Sequence, residues 1–245
     1  MEIFIEDSYE AMSAKASFAV FNQVNLVDRP LLCPASGDSP AGMYRELSKK
    51  IDQQDKSVSN WLFVGLDEWL GMDGSDEGSC RFHLNHQLFN PLKVDENNIA
   101  FFNGRASDTA EECARIETFI KVNNGIDVAI LGLGMNGHVG MNEPGTSALL
   151  HSHVTDIDPA TQQSAQKYFA KETRITKGIT LGIADLMAAR HVILLVNGIK
   201  KAAIVQQVLE GEISELFPAS LLRRHKNFSV YLDSNAASLL QKSQP

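Results

Sequence analysis

The hydrophobic pattern of this chain predicts an α/β fold, with a mostly parallel sheet covered by helices on both faces in a modified Rossmann-like arrangement. Short apolar runs recur along its 245 residues, amphipathic stretches separate most of them, and glycine, serine or charged residues follow directly where several runs end. Runs without polar alternation belong to strands buried on both faces, and their alternation with helices belongs to a parallel sheet. With 44% hydrophobic and 21% charged residues, the chain has material for one large core, so a single domain over 1–245 is expected.

The N-terminal MEIFIEDSYEAM carries acids where a secretory signal would carry lysine or arginine, and no run is long enough to cross a bilayer. A cytoplasmic chain without a membrane partner is expected. The first strand is RPLLCPA, followed by the helical SPAGMYRELSKKIDQQ. There Ser39 reads as the cap and Pro40 as the first helical residue. WLFVGL and IAFFN are the next strands, then DVAILGLG, HVILLVNG and FSVYLD. IKKAAIVQQVLEG, after HVILLVNG, is a second clear helix, stopped by Gly211.

Ligands of open parallel sheets bind beyond the carboxyl ends of the strands, so the residues after each run are the ones to interrogate. Four such places carry unusual chemistry: Ser36-Gly37-Asp38-Ser39-Pro40, Asp67-Glu68-Trp69, the glycine-rich segment with His138 and Glu143, and Gly198 with Lys200 and Lys201. A helix opening straight after a strand offers N–H donors and a positive dipole end to a phosphate. Taken alone, SGDSP also reads as an ordinary capped helix.

GLGMNG at 132–137 matches the GxGxxG fingerprint of dinucleotide-binding proteins. That fingerprint should open a long helix, whereas Pro144 and Gly145 stop regular helix almost at once. The neighbouring HVTDIDPAT reads poorly as a strand end bearing a ribose-binding acid. In the alternative reading, glycines 132, 134, 137 and 140 let the backbone turn tightly and leave His138 unshielded, with Glu143 near enough to orient and polarise the imidazole.

Composition excludes other classes. A net charge of −8 argues against a nucleic-acid partner, since such surfaces gain affinity from clustered lysine and arginine. The three cysteines are scattered without CxxC spacing and read as reduced structural thiols. Among the seven histidines, His83 and His86 sit in a helical stretch and His151 and His153 are two apart, neither pair at ligand spacing. No metal is expected.

Together GLDEWLG, LGLGMNGHVGMNEPG, ITLGIADLMAARHVILLVNG and FPASLL resemble the glucosamine-6-phosphate deaminase family over roughly residues 30–235. The sister 6-phosphogluconolactonases typically read DER where this chain has Asp67-Glu68-Trp69, and GHTASLFP where it has GHVGMNEP. Within the deaminases, LDEW, GSC at 78–80, DPATQQ at 158–163 and FPASLL most resemble galactosamine-6-phosphate isomerase. The resemblance implies a hexosamine 6-phosphate substrate, galactosamine or glucosamine 6-phosphate, converted to a ketose 6-phosphate and ammonia without metal or organic cofactor. A lactonase and a non-catalytic sugar-phosphate sensor are the alternatives.

It further implies that His138 opens the sugar ring with Glu143 holding the imidazole, and that Asp67 moves the C2 proton to C1. Ser36, Gly37, Ser39 and Lys201 would hold the phosphate. Two positions depart from the usual pattern. Asn136 stands in the catalytic loop where many members have aspartate, and can only donate or accept hydrogen bonds. Lys167 stands where an arginine often completes the phosphate site, and offers a point charge without the bidentate fork. Glu68, next to Asp67 on an extended chain, points to the opposite face and is expected to give support only. Relatives known as hexamers carry a longer C-terminal region, and the stop at Pro245 points to a monomer without allosteric control.

Overall fold

The computed structural model describes residues 1–241; Pro245, on which the expectation of a monomer drew, lies outside them. Ten strands follow in chain order: β1 (Glu2–Glu6), β2 (Leu31–Pro34), β3 (Leu62–Val64), β4 (Asp67–Trp69), β5 (Ile99–Ala100), β6 (Val128–Gly132), β7 (His153–Asp156), β8 (Lys177–Thr180), β9 (His191–Val196) and β10 (Phe228–Asp233). The α-helices are α1 (Tyr9–Val24), α2 (Asp38–Gln53), α3 (Cys80–Leu84), α4 (Thr109–Val122), α5 (Pro159–Ala165), α6 (Ile183–Ala188), α7 (Ala202–Glu210) and α8 (Pro218–Leu221). None is long and apolar enough to cross a membrane.

Seven strands form a parallel sheet in the order β1-β10-β9-β6-β2-β3-β5. Successive residues of its central strands serve opposite faces, as the pleat requires. Leu31, Cys33, Ala129, Leu131, Val192 and Leu194 enter one core with Ile116 of α4 and Val205 and Val208 of α7. Leu32, Val128, Ile130, Ile193 and Leu195 enter the other with Met12 and Val20 of α1 and Met43 and Leu47 of α2. Both faces are covered, so the runs carry no polar alternation.

Chain direction across the sheet reverses between β2 and β6. From β2 the chain passes outward to β3, whereas from β6 it passes to β9 and β10 on the other side. The loops after β2, β6 and β9 therefore open at one edge around a crevice, where a ligand of such a sheet is expected.

Three features correct the sequence reading. Residues 2–6 form an edge strand; Ile3 and Ile5 are exposed while Phe4 stacks on Tyr231 at 4.9 Å, so a single apolar face is used and no buried run results. A small antiparallel sheet, β4-β8-β7, stands beside the main one. It includes HVTD, which was not among the expected strands because its side chains are exposed or half-buried. Finally, α2 begins at Asp38 with Gly37 at the cap, so Ser39 is no cap residue and Pro40 is the third helical residue. Gly37 has φ +125°, a turn that favours glycine and starts the helix two residues earlier. IAFFN pairs only through Ile99 and Ala100, while Gly211 ends α7 as read.

Candidate active site

The crevice deepens into a cleft of about 750 Å³. All four segments singled out in the sequence reach it: Ser36 to Pro40, Asp67, the loop from Gly132 to Met141 with His138, and Gly198 to Lys201. No helix follows the glycine loop until α5 at Pro159, so the dinucleotide alternative lacks the helix N-terminus that would meet a pyrophosphate.

At one end lies the first turn of α2. Ser39 Oγ donates to Asn197 Oδ1 at 2.7 Å, tying the loop after β2 to the loop after β9. Lys201 follows from the turn Ile199–Lys201, half-buried, with its ammonium on the Leu133 carbonyl oxygen. Burial pulls this ammonium down to about 8, and the charge of Lys167 adds to the effect. Lys200 is exposed at the rim. Lys167 reaches the cleft from the turn after α5 and is ion-paired with Asp38. Ser36 lines the wall together with Cys80. Cys80, read as a structural thiol, is thus also part of the cleft wall.

At the other end, Asp67 opens β4, the strand that leaves the main sheet after β3 to pair with β8. It is 8% exposed. Burial pushes its carboxyl up to about 6, while a hydrogen bond from the Cys80 thiol and the charge of His138 pull the other way. Glu68 points away, fully buried, as the alternation requires. Its carboxylate accepts the backbone N–H groups of Trp69, Cys80 and Arg81 at 2.8, 2.9 and 3.0 Å. It anchors the start of α3 behind Asp67, and burial still pushes its carboxyl up to about 7.

His138 faces Asp67's side of the cleft from the glycine loop, and the ring lies against Gly134. A Cβ there would come within 2.2 Å of the imidazole, so only glycine lets the ring lie down at this point. Gly137 and Gly140 take φ +88° and +57°, which brings the chain around the histidine. Behind the ring, away from the cleft, stand Asn136 and Glu143.

Asn136 decides the tautomer. Its Nδ2 donates to Glu143 Oε2 at 2.8 Å, because a carboxylate can only accept. Its Oδ1 therefore faces His138, where it accepts the backbone N–H at 3.2 Å and meets Nδ1 at 2.7 Å. Two N–H partners and one carboxylate leave the amide a single orientation. Nδ1 must carry a proton, and Nε2 is left with its lone pair for chemistry in the cleft. Glu143 Oε2 lies 3.5 Å from Nδ1, and although burial raises it, hydrogen bonds from His138 and Asn136 hold the Glu143 carboxyl below the usual range.

One further member of this group was not singled out as a site residue, although DPATQQ, which contains it, carried part of the resemblance. Thr161 of α5 lines the cleft and places its hydroxyl 3.0 Å from His138 Nδ1. A threonine in a seven-residue helix looks like any other in sequence, and its role depends on α5 packing over a loop more than twenty residues away. The remaining histidines lie elsewhere: His151 pairs with Asp185 at 2.6 Å, and His86 bonds the Phe82 carbonyl within its own turn.

Comparison with known proteins follows the same lines. The family model of glucosamine-6-phosphate isomerases and 6-phosphogluconolactonases matches residues 17–231. A glucosamine-6-phosphate deaminase of Oceanobacillus iheyensis is 35% identical over 237 residues, covering 96% of this chain and 95% of the relative. One of Clostridium novyi is 37% identical over 241 residues, covering 98% and 100%. The solved structure of a monomeric glucosamine-6-phosphate deaminase superposes with a TM-score of 0.94 at 34% identity, over 98% of this chain and 100% of that one. A 6-phosphogluconolactonase from Trypanosoma brucei shares the fold, with a TM-score of 0.75 at 20% identity over 98% of each chain. With a family model spanning most of the sequence and full-length relatives above 30% identity, the chain belongs to the enzyme family of glucosamine-6-phosphate isomerases and 6-phosphogluconolactonases.

Proposed function

We propose that this chain, as one catalytic domain over 1–245, isomerises and deaminates a hexosamine 6-phosphate to a ketose 6-phosphate and ammonia. The observation that carries the reading is the shared cleft: a buried carboxyl pushed up to about 6 and a histidine of defined tautomer at one end, a helix N-terminus and a half-buried lysine at the other. Its volume of about 750 Å³ has room for a six-carbon sugar phosphate.

The sugar enters as a closed ring with its phosphate on the first turn of α2 and Lys201, with Ser36, Gly37, Ser39 and Lys167 around it. His138 Nε2 takes the proton of the anomeric hydroxyl and delivers it to the ring oxygen, which opens the ring. Glu143, through Asn136, keeps Nδ1 protonated and stabilises the imidazolium that forms in passing. Asp67 as carboxylate takes the C2 proton while a proton of the C2 amino group passes to the C1 oxygen, giving an enolamine, and Asp67 then returns its proton to C1, leaving an imine at C2. Water adds there and ammonia leaves. A carboxyl near pH 6 suits both halves of that transfer, since it is ionised at neutral pH yet basic enough to accept a carbon-bound proton.

Galactosamine 6-phosphate is the preferred substrate in this reading. The segments that resemble galactosamine-6-phosphate isomerase gather at the cleft: Trp69, Cys80 and Thr161 line it, and Phe217 packs on Gly137 beneath the histidine. Glucosamine 6-phosphate is the second reading, favoured by relatives named for that sugar. A monomer is supported by the likeness to a monomeric deaminase. Ammonia release from the two amino sugars in parallel, with 6-phosphogluconolactone as third substrate, tests the proposal. Higher catalytic efficiency on galactosamine 6-phosphate is expected. Lactone hydrolysis without ammonia from either amino sugar would overturn it.

A further inference from the structure

Thr161 is buried, its hydroxyl 3.0 Å from His138 Nδ1 and 3.4 Å from Asn136 Nδ2. A threonine inside a helix ordinarily returns its hydroxyl to a carbonyl of the preceding turn. That carbonyl, of Ile157, is taken by Gln162 Nε2 at 2.7 Å, and the Thr161 hydroxyl turns out of the helix to the histidine loop. With Nδ1 protonated, Thr161 Oγ1 is a second acceptor beside Asn136, and the same oxygen lies within reach of the Asn136 Nδ2 donor. The hydroxyl thus joins the His138–Asn136–Glu143 network from outside the loop.

Two of those residues, Asn136 and Glu143, lie on the same loop as the histidine. Thr161 comes from a different element, α5, whose following turn Gln166–Tyr168 carries Lys167 to Asp38 at the start of α2. A single short segment touches both ends of the cleft.

We propose that Thr161 is a positioning residue for the ring-opening histidine, holding His138 and Asn136 from the element that also brings Lys167 to the phosphate end. This rests on the deaminase reading above. Without the hydroxyl, Nδ1 and Asn136 Nδ2 each lose an acceptor, so the imidazole is free to rotate away from the sugar. Of the titratable groups around the network, His138 faces Glu143, and Asp67 faces His138 from β4.

Thr161→Val keeps the shape and removes the hydroxyl, whereas Thr161→Ser keeps the hydroxyl. The expected result is a kcat at least about tenfold lower in the valine variant, with KM within about threefold, and recovery in the serine variant to within about threefold of wild type. The NMR signal of the His138 Nδ1 proton, which needs no substrate, is expected to be lost to exchange with water in the valine variant and to return with serine. A valine variant with wild-type kcat and an unchanged Nδ1 proton signal would overturn the assignment, as would a loss that serine does not restore. A wild-type chain inactive on both amino sugars would refute the deaminase reading, and the Nδ1 proton signal would then decide the role of Thr161 alone.

Discussion

Replacing Asp67 with asparagine is expected to stabilise the fold while removing the reaction. The folded carboxyl is held near 6 by burial, against 3.8 for the free side chain. At pH 8 the ionised form is thus harder to keep in the folded chain than in the unfolded one by about 3 kcal/mol, at 1.36 kcal/mol per unit. The sign follows from proton uptake. Between these two values the folded chain holds a proton that the unfolded chain has lost, so stability falls as pH rises from about 4 to about 6 and is level beyond. Asparagine keeps the size and an acceptor oxygen for Cys80 and carries no charge, so its advantage should approach about 3 kcal/mol at pH 8 and shrink to about 1.5 kcal/mol at pH 5. Urea unfolding of both proteins at the two pH values, with the slope checked for equality, measures this directly. Ammonia release by the variant should be lost. Equal pH dependence in the two proteins would show that Asp67 ionises in the fold as it does in the unfolded chain, and the account of its basicity would fall.

His138→Asn should abolish turnover while binding of the sugar phosphate, read by calorimetry, persists; full activity would remove His138 from the mechanism. Lys201→Ala should raise KM about tenfold or more, the worth of a charged hydrogen bond. In the wild type KM should climb as pH passes about 8, where Lys201 loses its proton, and in the alanine variant that climb should be absent. An unchanged KM would separate Lys201 from the phosphate. Gly134→Ala sets a methyl group within 2.2 Å of the His138 ring. Displacing the imidazole by about an ångström should lower kcat about a hundredfold with circular dichroism unchanged, and a fully active variant would show that the ring position is not critical.

The central sheet was legible in the sequence because β2, β6, β9 and β10 are buried on both faces, and such strands must be written as continuous apolar runs. The same logic exposed the site: Ser36, Asp67, His138 and Lys201 each follow such a run, and the carboxyl ends of parallel strands meet at one edge. Glu68 could be set aside from Asp67 by pleat alone. Edge and satellite strands were not legible. β1 buries one face only, and β7 has exposed or half-buried side chains, so neither leaves the signature of a buried strand.

What the sequence by itself determined was therefore the set of chemical groups and the edge of the sheet at which they collect, since both follow from local pattern and chain order. Their physical state was decided only by tertiary structure. The Asp67 carboxyl is pushed up to about 6 because β4 turns it into a buried wall, and burial likewise pulls Lys201 down to about 8. The His138 tautomer depends on the orientation of Asn136, which Glu143 dictates seven residues further on. Thr161 joins them only because α5 folds back over the glycine loop. Desolvation and hydrogen-bond direction are properties of neighbours in space, and no spacing along the chain encodes them.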